Sequence, residues 1–419
     1  MKFIHAADIH LDSPFVGLTA RDEACAAALR DATRAAFANL VQAAVEHAVD
    51  FVLIAGDLYD GDWRDYTTGL FFVGEMARLE RAGVPVFLVH GNHDARSEVT
   101  RALTLPDNVR VFSSRTAETR VLERAGVAVH GRSFPKRAVA ENLVPHYPDP
   151  LPGLFNVGLL HTSATGRAGH EVYAPCSLDD LRGKGYHYWA LGHVHAREVL
   201  HRHPHVVFPG NLQGRHVREA GPKGFTLVEV DGGGAIAEEH VPCDVVRWAA
   251  VTADVSGAEA ADEVRAAVRD ALRGALDDCD GRGAVVRLCL AGTTALHGWL
   301  KADAERTRAD CAAEAARLGD RLWLEKVELD TRPAHDLAAA AARPDAVGAL
   351  LRALDEVRGD AAALDDLQRE FGELIAKLPD DARRDLFPDG CVPADRLAAV
   401  LDDACALVAA RLLDAEAVS

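Results

Sequence analysis

The first third of the chain is built from apolar runs that stop abruptly in polar residues. Lys2–Ala6, Phe51–Ala55 and Val84–Val89 are short and almost wholly apolar, the pattern of strands covered on both faces. Between them, Leu29, Thr33, Phe37, Leu40, Val41, Ala44, Val45 and Ala48 recur at helical spacing, and a second helix is expected over roughly Trp63–Arg81. This strand-helix alternation predicts right-handed crossovers and parallel strands. From Val109 the pattern changes to short strands with turn signals: Val109–Phe112, Thr119–Leu122, Val127–His130, Phe155–Leu160, His187–Leu191, Val206–Phe208 and Phe225–Val230. So many strands fit two sheets better than one. The Asp231-Gly-Gly-Gly234 turn predicts a hairpin after Phe225–Val230.

Past Cys243 the expected order is a strand near Trp248–Val255, a helix near Ala258–Asp278, a strand at Ala284–Leu290, a helix near Leu296–Leu318 and a strand at Leu322–Leu329. These make a small α+β unit. Beyond Pro333, apolar stripes at Val347, Leu350, Leu351 and Leu354, and at Leu367, Phe371, Leu374, Ile375 and Leu378, predict a helical tail. The expected division is 1–243, 244–335 and 336–419.

Composition narrows what such a chain can do. Its 419 residues, 49% of them hydrophobic, can bury at least one sizeable core. The net charge is −18, and residues 241–419 carry −13 of it, with 35 acidic against 22 basic side chains. A protein that held nucleic acid by general surface charge would be basic. Any contact with DNA or RNA must therefore use a local patch, a bound metal or a partner. The eight cysteines include no C-x-x-C pair, which argues against a zinc ribbon or a disulfide framework and for a reducing cytoplasm. No stretch approaches the ~20 apolar residues of a membrane span, so neither a signal peptide nor a membrane association is expected.

Chemistry gathers where the strands end. Asp8 and His10 follow the first, Gly56-Asp57 the second, and Gly91-Asn92-His93-Asp94 the third, while His161 and Gly192-His193-Val194-His195 finish two later ones. An i, i+2 pair on extended backbone points to one side, and the carboxyl ends of parallel strands form a natural site. A lone histidine after a strand is ordinarily a packed residue, but five such ends in order are not. Asp8, Asp57, Asn92, His10, His161, His193 and His195 exceed the four ligands of one tetrahedral ion, so two ions are the better count. Mixed imidazole and carboxylate donors suit Mn, Fe or Zn more than Ca or Mg.

In this order and spacing, D-x-H at 8–10, G-D-x-x-D at 56–60, G-N-H-D at 91–94, the strand ending in His161 and G-H-x-H at 192–195 resemble the calcineurin-like metallophosphoesterases. The resemblance covers residues 1–240. Within that family, FIHAADIHLDSPF at 3–15, Tyr59-Asp60-Gly61 and PGNLQGRH at 209–216 look like the SbcD-type DNA-repair exonucleases, in particular the YhaO-like group. The resemblance implies an α/β fold: a metallophosphoesterase two-sheet sandwich flanked by helices, then a small α+β cap domain and a helical C-terminal tail. It implies two divalent ions, expected to be Mn²⁺ with Fe or Zn as alternatives. Asp8, His10 and His195 would hold one ion, Asn92, His161 and His193 the other, and Asp57 would bridge. His93 would stand over the phosphate as proton donor, oriented by Asp94. The implied substrate is DNA, and the implied partners are an SbcC-like ATPase docked on the tail and a second copy in a homodimer.

Two other readings stay open. One is a metallophosphoesterase acting on a small nucleotide or other non-DNA phosphoester with the same ligands. The other is a non-catalytic scaffold, against which stands the complete ligand set. Among the remaining polar residues, Arg132, Arg167, Arg215 and His216 are read as solvated, with contact to a phosphate as the alternative, and His201, His203 and His205 as an exposed hairpin. His90 is read as a core or ligand-supporting residue, and Trp63, Tyr66, Phe71 and Phe72 as helix packing.

Overall fold

A computed structural model describes residues 1–13, 23–60, 66–94, 104–164, 173–334 and 337–378, with scattered positions beyond. Trp63, Arg167 and most of 379–419 lie outside the described residues. Strands β1 (Lys2–Ala6), β2 (Phe51–Ala55), β3 (Val86–Val89) and β4 (Val109–Val111) run parallel, and α1 (Glu23–Glu46) and α2 (Tyr66–Arg81) lie between the first three in sequence. A second sheet holds β5 (Glu118–Leu122), β6 (Val127–Gly131), β7 (Phe155–His161), β8 (Tyr188–Gly192), β9 (Glu198–Arg202) and β10 (His205–Phe208). Its order is β5-β6-β7-β8-β10-β9, with β6, β7, β8 and β10 parallel. The helix α3 (Leu178–Gly183) precedes β8.

The apolar runs are explained by a period of two with both faces covered. Ile4, Val52, Ile54, Val86 and Leu88 pack with Phe37, Leu40, Phe72 and Leu79 of the helices. Their neighbours Phe3, Phe51, Leu53 and Phe87 turn the other way and meet Val157, Leu159, Tyr188 and Ala190 of the second sheet. Phe3 stacks on Phe51 at 4.8 Å and meets Tyr188 edge-on at 5.3 Å. This double burial is why β2 and β3 are apolar throughout and why the histidine of β1, His5, is itself fully buried.

Sheet membership differs from simple chain order. The strands β11 (Gly224–Val230) and β12 (Ile236–Pro242) return to the first sheet, giving the order β12-β11-β1-β2-β3-β4. β11 runs antiparallel to β1, with Ile4 opposite Leu227, and so covers an edge that would otherwise be open. The β11–β12 hairpin turns at Asp231-Gly-Gly-Gly234, as its sequence predicts. The hairpin expected around His201–His205 is also present as β9–β10. His205, however, is buried rather than exposed.

Further along, β13 (Val246–Asp254), β14 (Gly283–Thr294) and β15 (Leu322–Pro333) form a three-stranded sheet. With it come α4 (Ala261–Asp277), α5 (His297–Ala302) and α6 (Ala304–Arg317). The single helix expected over Leu296–Leu318 is two helices. Asp303 leaves helical geometry at φ −142°, ψ 83°, and its carboxylate caps α6 by accepting from Arg306 N at 2.9 Å. The helices α7 (Leu337–Ala341), α8 (Ala346–Gly359) and α9 (Ala361–Ile375) follow. Contacts divide the chain into two compact units, Met1–Ala250 with Ala275–Val286, and Val251–Gly274 with Arg287–Ser419. No helix among the described residues is long and apolar enough to cross a membrane.

Candidate metal centre

All of the strand-end residues lie in the first unit. The segment after β1 lies alongside the segment after β2: Asp8 N donates to Gly56 O at 3.0 Å, His10 N to Asp57 O at 3.0 Å and Leu11 N to Leu58 O at 2.9 Å. Asp8 and His10 do present their side chains together, though the expected extended backbone is not the cause. Their φ angles are 52° and 46°, and Asp57 and His193 have φ of 53° and 109°. Four non-glycine residues in the left-handed region at one site is a local cost that the surrounding fold must hold in place.

Glycines make the approach of the strand ends feasible. Gly56 has φ +91°, and a Cβ there would sit 2.5 Å from His161 Nδ1. A Cβ on Gly192 would fall 2.0 Å from Ala55 O, where β8 meets the end of β2.

The side chains assemble into clusters. Asp8, His10 and His195 bring ligand atoms within 4.8 Å of one another, as do Asp57, His161 and His193. Asp57 Oδ2 lies 3.5 Å from His161 Nε2 and 4.0 Å from His10 Nε2, so one carboxylate faces both clusters. Asn92 Oδ1 is 2.9 Å from His161 Nε2. A third cluster, His10, Asp60 and His93, shares His10 with the first. Phe134 and Tyr173 set their rings edge-on to His161 and His193 at 5.5 and 5.4 Å. Beside these residues lies a cavity of about 550 Å³, with Arg137, Arg215, Arg218 and Lys223 in its wall.

The electrostatics call for cations. Asp8 and Asp57 are fully covered, and burial holds both carboxyls above the usual range, Asp8 further raised by Asp57. Burial likewise pushes His161 down to about 4 and His10 well below its ordinary value. Neutral imidazoles are the ligand form, and buried carboxylates without a positive partner are costly. The donor atoms agree. His161 Nδ1 can only donate to Ala55 O at 2.9 Å, which leaves Nε2 bare and facing the Asn92 carbonyl oxygen. His10 Nε2 and His195 Nε2 stand 3.2 Å apart, and two nitrogens bound to one ion at about 2.0–2.1 Å would be separated by ~2.9–3.4 Å. The residues fit two divalent ions.

His93 departs from its expected partner. Its Nδ1 lies 2.8 Å from Asp60 Oδ1, and its backbone N donates to Asp57 Oδ1 at 2.9 Å. The carboxylate of Asp94 instead accepts from Leu58 N at 3.2 Å, Tyr59 N at 2.9 Å and Gly91 N at 3.0 Å. Asp94 is thus a buried clasp between the loops after β2 and β3, and Asp60 is the residue that aims His93. Burial raises Asp60, but hydrogen bonds with His93 and Ser13 and the charge of Arg215 hold it at about 2. Burial lowers His93, and the Asp60 hydrogen bond and the charge of Asp57 more than reverse this.

The loop after β10 adds residues that the sequence reading assigned no role or a solvated one. Arg215 is largely covered, and its guanidinium lies 3.3 Å from Ser13 Oγ and 3.4 Å from both Asp60 Oδ2 and His195 Nδ1. Glu219 is buried, with Oε1 2.6 Å from His195 Nδ1. The PGNLQGRH segment marked this loop in the sequence, but nothing there shows that Glu219, three residues on, folds back to His195. Elsewhere, Arg132 is mostly covered and reaches Glu141 at 3.4 Å. Phe72 packs on Phe37 as expected, whereas Tyr66 is exposed.

Residues 1–197 match the calcineurin-like phosphoesterase model, and residues 248–332 match the middle domain of the metallophosphoesterase YhaO. Over 263 residues the chain is 39% identical to the uncharacterized metallophosphoesterase YhaO of Bacillus subtilis, covering 62% of this chain and 64% of that one. It is 28% identical over 302 residues to the DNA double-strand break repair protein Mre11 of Methanopyrus kandleri, covering 64% and 62%. The Mre11 of Aeropyrum pernix is 29% identical over 258 residues, 57% of this chain and 60% of that protein. The matched stretch spans less than two thirds of each of these relatives.

Proposed function

We propose, from the match of residues 1–197 to the calcineurin-like phosphoesterase model, that this chain is a two-metal phosphodiesterase that cleaves DNA. One observation carries the hydrolytic reading: Asp57 Oδ2 faces His10 Nε2 and His161 Nε2 at 4.0 and 3.5 Å, one carboxylate shared by two ligand clusters. In this reading Asp8, His10 and His195 hold the first ion and Asn92, His161 and His193 the second, with Asp57 between. The family resemblance favours Mn²⁺, and the mixed imidazole and carboxylate donors also accommodate Fe or Zn. When bound, the pair supplies Lewis acidity to the phosphoryl oxygens and a water acidified enough to act near neutral pH. His93, its pKa lowered by burial but raised overall by the hydrogen bond to Asp60 and the charge of Asp57, would give its Nε2 proton to the departing oxygen. Arg137, Arg215, Arg218 and Lys223 supply a local positive charge in the wall of the cavity.

The DNA substrate is supported by the likeness to DNA double-strand break repair proteins and by the local basic wall. Residues 244–335 serve as a cap domain and residues 336–419 as the docking tail for an SbcC-like ATPase, the partner that would bring further basic surface. The test is hydrolysis by the purified chain with Mn²⁺ of single- and double-stranded DNA beside a chromogenic phosphodiester, with Asp57→Asn as control. Cleavage of the chromogenic ester alone would keep the phosphodiesterase and exclude DNA. A wild-type chain inert on all three would favour the scaffold.

A further inference from the structure

Glu219 occupies an unusual position for a buried acid. Its two oxygens have separate partners. Oε2 accepts from Asn211 Nδ2 at 2.9 Å and from Arg215 N at 2.8 Å, both within its own loop. Oε1 faces His195 Nδ1 at 2.6 Å. The loop itself is anchored from outside: Gln213 Nε2 donates to Val246 O at 2.6 Å and Trp248 Nε1 to Gly214 O at 2.9 Å. A carboxylate can only accept, so the imidazole proton sits on Nδ1 and the lone pair of Nε2 points away from Glu219. That Nε2 is the atom 3.2 Å from His10 Nε2 and 4.0 Å from Asp8 Oδ1.

We infer that Glu219 is a positioning residue for the metal centre, fixing the tautomer and ring orientation of His195 so that its Nε2 completes the Asp8–His10 cluster. The inference rests on the two-metal reading above. Its physical basis is general: a carboxylate on the distal nitrogen of a ligating histidine both orients the ring and makes it a stronger donor. A purely structural Glu219 would need only the Oε2 contacts that close its loop. Oε1 also has His216 Nε2 at 3.4 Å and Arg215 at 3.7 Å within the loop, but its shortest contact, at 2.6 Å, leaves the loop for His195.

The experiment titrates Mn²⁺ alone into the metal-free full chain by calorimetry, with Glu219→Ala, Glu219→Gln, His195→Ala and the double variant Glu219→Ala/His195→Ala. Wild type should take up two ions. Glu219→Ala should bind one of them about 10–100-fold more weakly and the other unchanged. Glu219→Gln retains an acceptor oxygen for Nδ1–H and should lose less, and it carries the test if the alanine variant does not fold. In the His195→Ala background, removing Glu219 should cost nothing further, because the residue acts through that ring. Wild-type affinities in both Glu219 variants would overturn the inference, as would an equal further loss in the double variant. A wild-type chain that binds no Mn²⁺ would instead defeat the metal reading beneath it.

Discussion

The imidazole of His93 is aimed by a residue from another loop: its Nδ1 meets Asp60 Oδ1 at 2.8 Å, while the neighbouring Asp94 turns its carboxylate to three backbone N–H groups. Asp60 also accepts from Ser13 Oγ at 2.6 Å and faces Arg215 at 3.4 Å, so the acid is held from the loops after β1, β2, β3 and β10 together. Asp60→Asn should therefore keep both ions and slow chromogenic phosphodiester hydrolysis by about 10²-fold, toward the low end of a general acid's contribution. Unchanged turnover with full metal content would remove Asp60 from this role.

Asp94→Ala should act on stability first. It leaves three buried N–H groups without their charged acceptor, which points to a loss of about 2–5 kcal/mol, read by chemical denaturation of the metal-free protein. If Asp94→Ala were as stable as wild type yet slow, Asp94 would belong to the proton-transfer machinery after all.

Asp57 and His93 should separate cleanly. Asp57→Asn removes the shared carboxylate and should lose metal and nearly all hydrolysis, with Asp231→Asn in the exposed β11–β12 turn as an unaffected control. His93→Ala should retain metal and lose roughly 10²–10⁴-fold in turnover. Elemental analysis of the two variants decides it; a metal-free His93→Ala would make His93 a ligand.

His5 gives a pH signature away from the ions. It lies inside the sandwich, where Tyr188 OH is 3.0 Å from Nδ1 and Leu191 O is 3.1 Å from Nε2, and burial lowers it to about 3. An unfolded histidine titrates near 6.5. Above that pH neither state binds the proton and His5 contributes no pH dependence. Below it, down to about 3, the unfolded state is protonated and the fold is not, so stability falls as the pH drops. His5→Gln should reduce the slope of unfolding free energy against pH by about 1.4 kcal/mol per unit between about pH 4 and 6. An identical slope in both proteins would show that His5 takes up its proton in the fold.

Much of this protein was legible in the sequence because its signals are local. Phe51–Ala55 is apolar throughout since both of its faces are covered, and that needs no knowledge of what covers them. Asp8, His10, Asp57, Asn92, His161, His193 and His195 could be picked out because each stands where an apolar run ends, and strand ends converge in any parallel sheet. Tertiary structure decided what depends on direction and on loops. Whether β11 joins one sheet or the other turns on which edge is free, and the apolar pattern of Phe225–Val230 suits either. The pairing of His93 with Asp60 rather than its chain neighbour Asp94 goes with Asp94 being taken up by the backbone of the loops after β2 and β3, and Glu219 reaches His195 from a loop anchored by Gln213 and Trp248. A side chain's partner across a loop is set by backbone dihedrals and packing, which residue spacing does not encode.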